Sequence, residues 1–332
     1  MSLNEELNVL ILVNQKIDDQ GALQIADFLK VNPTLKELNL CLNEIGPEGV
    51  RSLIDALRVN TTLEKLYLGG NRLGPENVPW IDALRVNTTL EVLNLRNNFI
   101  GDSGVRCLAE ALPFNSTLKE LYLDYNNKIG TEGARWLGDA LRVNSTLKVL
   151  NLAYNFIGDA GAQWLADALR VNSGLEKLEI YSTLIESKGL QFLAEALKVN
   201  STLRHFSVSG TYGRSDDEGV KQLAKALRVN STLEFVGFPT TIHDDETIVE
   251  HIFERNFSLT HFRFRPQFGE IQMDNRISTY EKRNRNVQLA LKKKLACGWA
   301  LNHREGCKVG FDRMILRCVM YPMLSPILSE LE

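Results

Sequence analysis

The chain has 332 residues, 44% of them hydrophobic and 24% charged, with a formal net charge of −3. This balance excludes a disordered polymer, which lacks the apolar residues for a core, and gives no global attraction to nucleic acid. No apolar run approaches the ~20 residues that a membrane-spanning helix needs. The charge is unevenly placed: residues 261–332 hold 13 Lys/Arg and 7 Asp/Glu, which leaves 25 and 34 for residues 1–260. The five cysteines, Cys41, Cys107, Cys297, Cys307 and Cys318, show no metal-ligand spacing. An odd, scattered set is the usage of a reduced intracellular protein. Glu5 and Glu6 precede the first apolar run, without a basic stretch, so the N-terminus does not read as a signal peptide. A cytoplasmic location is expected.

The string Ala-Leu-Arg-Val-Asn recurs at 56–60, 83–87, 140–144, 168–172 and 226–230, with Lys for Arg at 196–200. Taking the Asn as phase marker, units begin at Asn4, Asn32, Asn60, Asn87, Asn115, Asn144, Asn172, Asn200 and Asn230, and a truncated tenth begins at Asn256. A fixed period of this length marks a repeat architecture. The repeats occupy residues 4–269.

In the first unit, residues 9–13 form a strand that is apolar on both faces. A terminal strand also presents unpaired backbone groups, so this N-terminal edge is expected to be covered, by self-association through the first repeat or by further sequence ahead of it. The following units share the pattern LxxLxLxxNxIGxxGxxxLAxAL. In the fourth, Leu93 and Leu95 alternate as in a strand with one buried face, and Val105, Leu108, Ala111 and Leu112 recur at helical spacing. Each unit is therefore a strand, a turn and a helix. Gly46, Gly74, Gly101, Gly130 and Gly158 supply permissive dihedrals at the turn. The residues after them (Pro47, Glu48, Asp102, Thr131, Glu132, Asp159) suit helix starts.

Asn43, Asn71, Asn98, Asn126 and Asn155 stand where the backbone leaves the strand. A buried amide there can bond the orphaned backbone groups and stack into a ladder. Thr183, Thr211 and Thr241 replace it in later units, which predicts a less regular C-terminal half. Seven Asn-x-Ser/Thr sequons lie on the phase marker and read as repeat consensus. Trp80, Cys107, Trp136, Trp164, Phe192 and Gln222 share one helix position, where large side chains fill the gap between splayed neighbours.

Strands stack ~4.8 Å apart while helices need ~10 Å, so the array must curve with its strands on the concave side. The residues flanking the buried strand leucines then line that wall. Tyr67, Arg96, Glu120, Tyr122, Asp124, Tyr125, Tyr154, Glu179 and Tyr181 cluster there over repeats three to seven. Tyrosine and arginine are over-represented at binding hot spots, so these nine residues form the candidate protein-binding face. Neither a cofactor nor a metal is expected: Walker, HExxH and GxSxG motifs are missing, and the cluster His243, Asp244, Asp245, Glu246, Glu250, His251 reads as a helix start.

After Phe268 the period stops. Residues 270–332 read as a basic helical cap for the open end of the core, with an amphipathic helix over 275–296 and an apolar segment over 311–320. Binding of an anionic surface, membrane or nucleic acid, through this tail is one alternative function.

The motif resembles the ribonuclease-inhibitor-like subclass of leucine-rich repeats, with similar repeats in NOD-like receptors, tropomodulin and Ran GTPase-activating proteins. That resemblance implies an α/β leucine-rich-repeat solenoid, a right-handed β/α horseshoe with a parallel concave sheet and convex helices. It implies a non-enzymatic scaffold for a protein partner whose identity the residues do not encode. The longest unit carries Gly213-Arg214 in an extended loop, similar to the Arg-bearing loop of Ran GTPase-activating proteins, so GTPase activation by Arg214 is a second alternative.

Overall fold

The computed structural model describes residues 7–75, 83–126, 128–208 and 217–238, and beyond these only 252, 256, 258–264, 281–282 and 284–285. The chain divides into two compact units, Met1–Met273 and Asp274–Glu332. Arg214, Thr211, Thr241, Trp80, the cluster around His243 and the apolar segment over 311–320 lie outside the described residues, as does most of the expected helix over 275–296. In the second unit, 281–282 and 284–285 are helical, with Arg285 Nη2 3.8 Å from Glu281 Oε2.

In the first unit ten described strands form one sheet in sequence order. They are β1 (Val9–Ile11), β2 (Glu37–Asn39), β3 (Lys65–Tyr67), β4 (Val92–Asn94), β5 (Glu120–Tyr122), β6 (Val149–Asn151), β7 (Lys177–Glu179), β8 (His205–Ser207), β9 (Phe235–Phe238) and β10 (His261–Phe264). Every pairing is parallel, and the central residues stay in register from Leu38 through Leu66, Leu93, Leu121, Leu150, Leu178 and Phe206 to Val236. Each of these is buried, because one apolar side chain per strand points toward the helices and its two neighbours point away.

The described helices are α1 (Asp19–Val31), α2 (Pro47–Leu57), α3 (Gly101–Ala111), α4 (Thr131–Leu141), α5 (Gly158–Leu169), α6 (Ser187–Leu197) and α7 (Asp217–Val229). In α2, Pro47 opens the first turn and Glu48 follows it, where a missing N–H and a negative charge suit the helix start. Val50, Leu53, Ile54 and Leu57 are its buried stripe.

The aspartates behave differently from the expectation that they cap their own helices. Asp102 and Asp159 each lie one residue inside α3 and α5, whose N-caps have no side-chain bond. Asp102 Oδ1 instead accepts from Gly130 N and Gly133 N of the next repeat, at 2.7 and 2.9 Å. Asp159 Oδ1 accepts from Glu186 N and Gly189 N in the same way, and Asp19 Oδ1 from Gly46 N and Gly49 N. One carboxylate thus satisfies two orphan donors of its neighbour and sits at the positive end of that helix dipole. The second glycine of the motif is part of this device: a Cβ on Gly133 would stand 2.6 Å from Asp102 Oδ1.

At the turn, Asn126 Nδ2 donates to the Leu95 and Leu123 carbonyls, while its Oδ1 accepts from Asn98 N and Ile100 N. Asn98 bonds the Leu68 carbonyl and Asn71 N, Asn71 the Leu40 and Leu68 carbonyls and Ile45 N, and Asn43 the Leu12 and Leu40 carbonyls and Gln15 N. Asn155 donates to Leu123 O and Leu152 O, but its Oδ1 lacks a hydrogen-bond partner among the described residues. The preceding, fifth repeat carries one extra residue between Asn126 and Ile129. Thr183, with a single hydroxyl, bonds Ile180 O.

A second ladder runs through the phase-marker asparagines, for which the sequence alone suggested no chemistry. Asn144 Nδ2 donates to Leu112 O at 2.7 Å and Asn115 O at 3.0 Å, and its Oδ1 accepts from Thr146 N and Leu147 N. Asn60, Asn87, Asn115, Asn172, Asn200, Asn230 and Asn256 repeat this arrangement and are all buried. The sequon amides are therefore engaged in the core. Removing one rung leaves several buried backbone groups unpaired. Asn98→Ala and Asn144→Ala are each expected to lower the unfolding free energy by ~1–3 kcal/mol, measured by chemical denaturation. An unchanged midpoint would mean that the amide is solvated.

Candidate protein-binding face

The open face of the sheet is built from the strand residues that flank the buried centre. Tyr67, Glu120, Tyr122 and Glu179 lie here, each half-buried. Tyr122 donates its hydroxyl to Glu120 Oε2 at 2.7 Å. Glu179 Oε1 lies 3.1 Å from Lys177 Nζ and 3.4 Å from His205 Nε2, and the His205 ring stacks on Phe235 at 4.0 Å. Tyr67 stands in register with Asn94 and, one strand further, Tyr122.

Just beyond the strand ends, the structure brings Arg96, Asp124, Tyr125, Tyr154 and Tyr181 into one run. The Arg96 guanidinium lies 4.7 Å from the centre of the Tyr125 ring, and Tyr125 stacks on Tyr154 at 4.0 Å and 19°. Tyr154 meets Tyr181 edge to face at 5.3 Å. Such contacts hold a cation and three rings as one semi-rigid shelf. Asp124 departs from its expected place on the contact surface. It is 4% exposed, and its Oδ2 lies 3.1 Å from Arg96 Nε. Asp124 fixes the Arg96 side chain from below.

The sequence did not reveal that Tyr125 and Tyr154 occupy left-handed backbone, at φ +57° and +56°. A partial signal existed: Asn14, Gly70 and Asn97, types that adopt that conformation readily, fill the same slot in other repeats, although Leu42 and Ser182 fill it too.

Burial, then the negative field of Glu179 and Asp124, pushes the Tyr181 hydroxyl up to about 12. Burial and the bond to Glu120 push Tyr122 up as well. Burial also raises Asp124, beyond what Arg96 offsets. At Glu179 burial acts upward, but the neighbouring His205 imidazole and the Lys177 cation outweigh it and hold the carboxyl below its usual range.

Among the described residues, no three His, Cys, Asp or Glu side chains gather as a metal site, and no helix is long and apolar enough to cross a membrane. Residues 31–53, 59–76, 86–109, 114–137 and 143–166 match the family model described as Leucine Rich repeat. These repeats are leucine-rich repeats. No curated protein matches the repeat chain. Among solved structures, the leiomodin-1 actin-binding site 2 is similar at 17% identity and a TM-score of 0.42, covering 57% of this chain and 94% of its own. The tropomodulin C-terminal domain of Caenorhabditis elegans is similar at 16% identity and a TM-score of 0.44, covering 57% and 97%.

The electrostatics of the repeat face can be read by titration. A phenol whose pKa is raised on folding stabilises the fold fully below its unfolded value, and that contribution is lost as pH rises through the folded value. The phenolate absorbance of the native protein is expected to include a late step near pH 12 that Tyr181→Phe removes. Stability should fall with pH above the ordinary tyrosine range, less steeply in the variant. A titration identical in both proteins would refute the placement of Tyr181.

Proposed function

We propose that this leucine-rich-repeat array is a non-enzymatic scaffold that grips a folded protein on the open face of its sheet. The observation that carries this reading is the run Arg96, Tyr125, Tyr154, Tyr181. Tyrosine and arginine bury large areas at modest entropy cost and keep a polar handle, and so dominate interface energetics. The surrounding carboxylates Glu120, Glu179 and Asp124 are tied to Tyr122, Lys177 and Arg96, which holds the face in one arrangement. Ten strands at ~4.8 Å make a face roughly 40 Å long, enough for the ~800 Å² that each side of a standard interface buries. Cys41 is a free thiol, in keeping with a cytoplasmic setting.

Affinity capture with mass spectrometry identifies the partner, and calorimetry on the purified pair tests the surface. Tyr122→Ala and Tyr181→Ala are each expected to weaken binding by more than ~1 kcal/mol while folding is kept. Arg135 serves as the control: it lies on the helix side, against Trp136 at 4.9 Å. Loss of binding with Arg135→Ala, and none with the tyrosine variants, would move the interface to the helices.

Self-association through β1 is part of the same proposal. β1 is the edge of the described sheet, and Ile11 on it is 63% exposed. An uncovered apolar edge strand is a template for another strand. Light scattering is expected to show a dimer or larger species that Ile11→Lys dissociates, and a monomer in both proteins would rule this out.

A further inference from the structure

The turns that follow the strands carry apolar residues that are left-handed, exposed or both. Seven successive repeats leave the strand through one left-handed residue; Tyr125 and Tyr154 adopt it where Gly70 and Asn97 do so at lower cost. A second left-handed slot holds Phe99 at φ +57° and Leu184 at +60°. Phe99 is 45% exposed, Leu184 42%, and Phe156, next to its own turn asparagine as Phe99 is, 56%. These side chains meet strain or water without the compensation of full burial in the core. Strain of this kind persists where a site uses it, and contiguous exposed apolar groups mark interaction surfaces.

This strip of turns also has a charge. Lys128, which is exposed, lies with its Cβ 3.3 Å from the place a Cβ on Gly101 would take, so it stands at the turn that follows Phe99. The Phe156 carbonyl lies 3.6 Å from the corresponding point on Gly130, which puts Lys128 between the two phenylalanine turns. Arg96 lies over Tyr125 but is paired with the buried Asp124, so Lys128 is the cation that the strip offers. A rim that is aromatic and cationic thus runs along an array whose residues 1–260 hold more acids than bases.

We propose that this rim docks an acidic, apolar segment of the protein partner. Its aliphatic or aromatic side chains pack on Phe99, Tyr125, Tyr154 and Phe156, and a carboxylate meets Lys128. This rests on the protein-binding reading above and names the chemistry of what is bound.

The test is selection of a phage-displayed library of random linear peptides on the full chain. Enriched peptides are then titrated, by fluorescence anisotropy, against the parent protein, Phe156→Ser, Lys128→Glu and Tyr122→Ala. Enrichment of sequences that combine apolar residues with Asp or Glu is expected. So is a roughly tenfold or greater loss of affinity in both rim variants. Basic or uncharged consensus sequences, or no enrichment, overturn the proposal. Loss with Tyr122→Ala alone also overturns it, while leaving the open sheet face as the interface. Phe99→Asn and Leu184→Gly supply the second reading. Melting midpoints unchanged or raised support residues kept for contact, and a clear drop in both means that they serve the core instead.

Discussion

A chain that leaves a three-residue strand and returns one repeat later exposes N–H and C=O groups that a parallel ladder cannot reach. In water these groups would be solvated; between stacked repeats they are buried, and each unpaired one costs free energy comparable to a lost hydrogen bond. The two asparagine ladders answer this at opposite ends of the strand, Asn98 and its equivalents at the exit and Asn144 and its equivalents at the entry. An amide side chain suits both places because it donates twice and accepts twice from one planar group. Register, strand length and the spacing of the leucines all follow from keeping these rungs in line.

The bonds that satisfy one repeat come largely from the next. Asn144 reaches back to Leu112, Asn126 to Leu95, and Asp102 forward to Gly130 and Gly133. A single unit therefore contains groups that only a neighbour can pair, and stability belongs to the interfaces between units as much as to the units themselves. The glycines next to the aspartates make the same point sterically, since a methyl group on Gly189 would stand 2.5 Å from Asp159 Oδ1.

The open face is freed by this division of labour. With the core supplied by Leu38 and its successors, many flanking positions are left free to hold tyrosines, acids and bases. Where they gather, around repeats four to seven, side chains stack on one another more than on the core. Arg96 braced by Asp124, and Tyr154 between Tyr125 and Tyr181, are held before any partner arrives. Preorganised rings lose little entropy on binding, the property expected of a recognition surface.

The sequence by itself determined the period, the strand–turn–helix unit, the buried leucines and the flanking residues of the open face. All of these follow from local periodicity, and a strand and a helix differ in period wherever they occur. It marked Asn43 to Asn155 for the turn because a polar residue fixed in an apolar frame needs a bonding reason. It did not show that the phase-marker asparagines form a ladder of their own, that Asp102 and Asp159 cap the following helix, or that Asp124 lies buried under Arg96. Only tertiary structure decided these, because the partners lie some 26 to 32 residues away in sequence and become neighbours only when one repeat stacks on the next. The same holds for the tyrosine shelf: composition placed its members on one wall, but their ring contacts depend on dihedral angles and stacking distances that no single repeat contains.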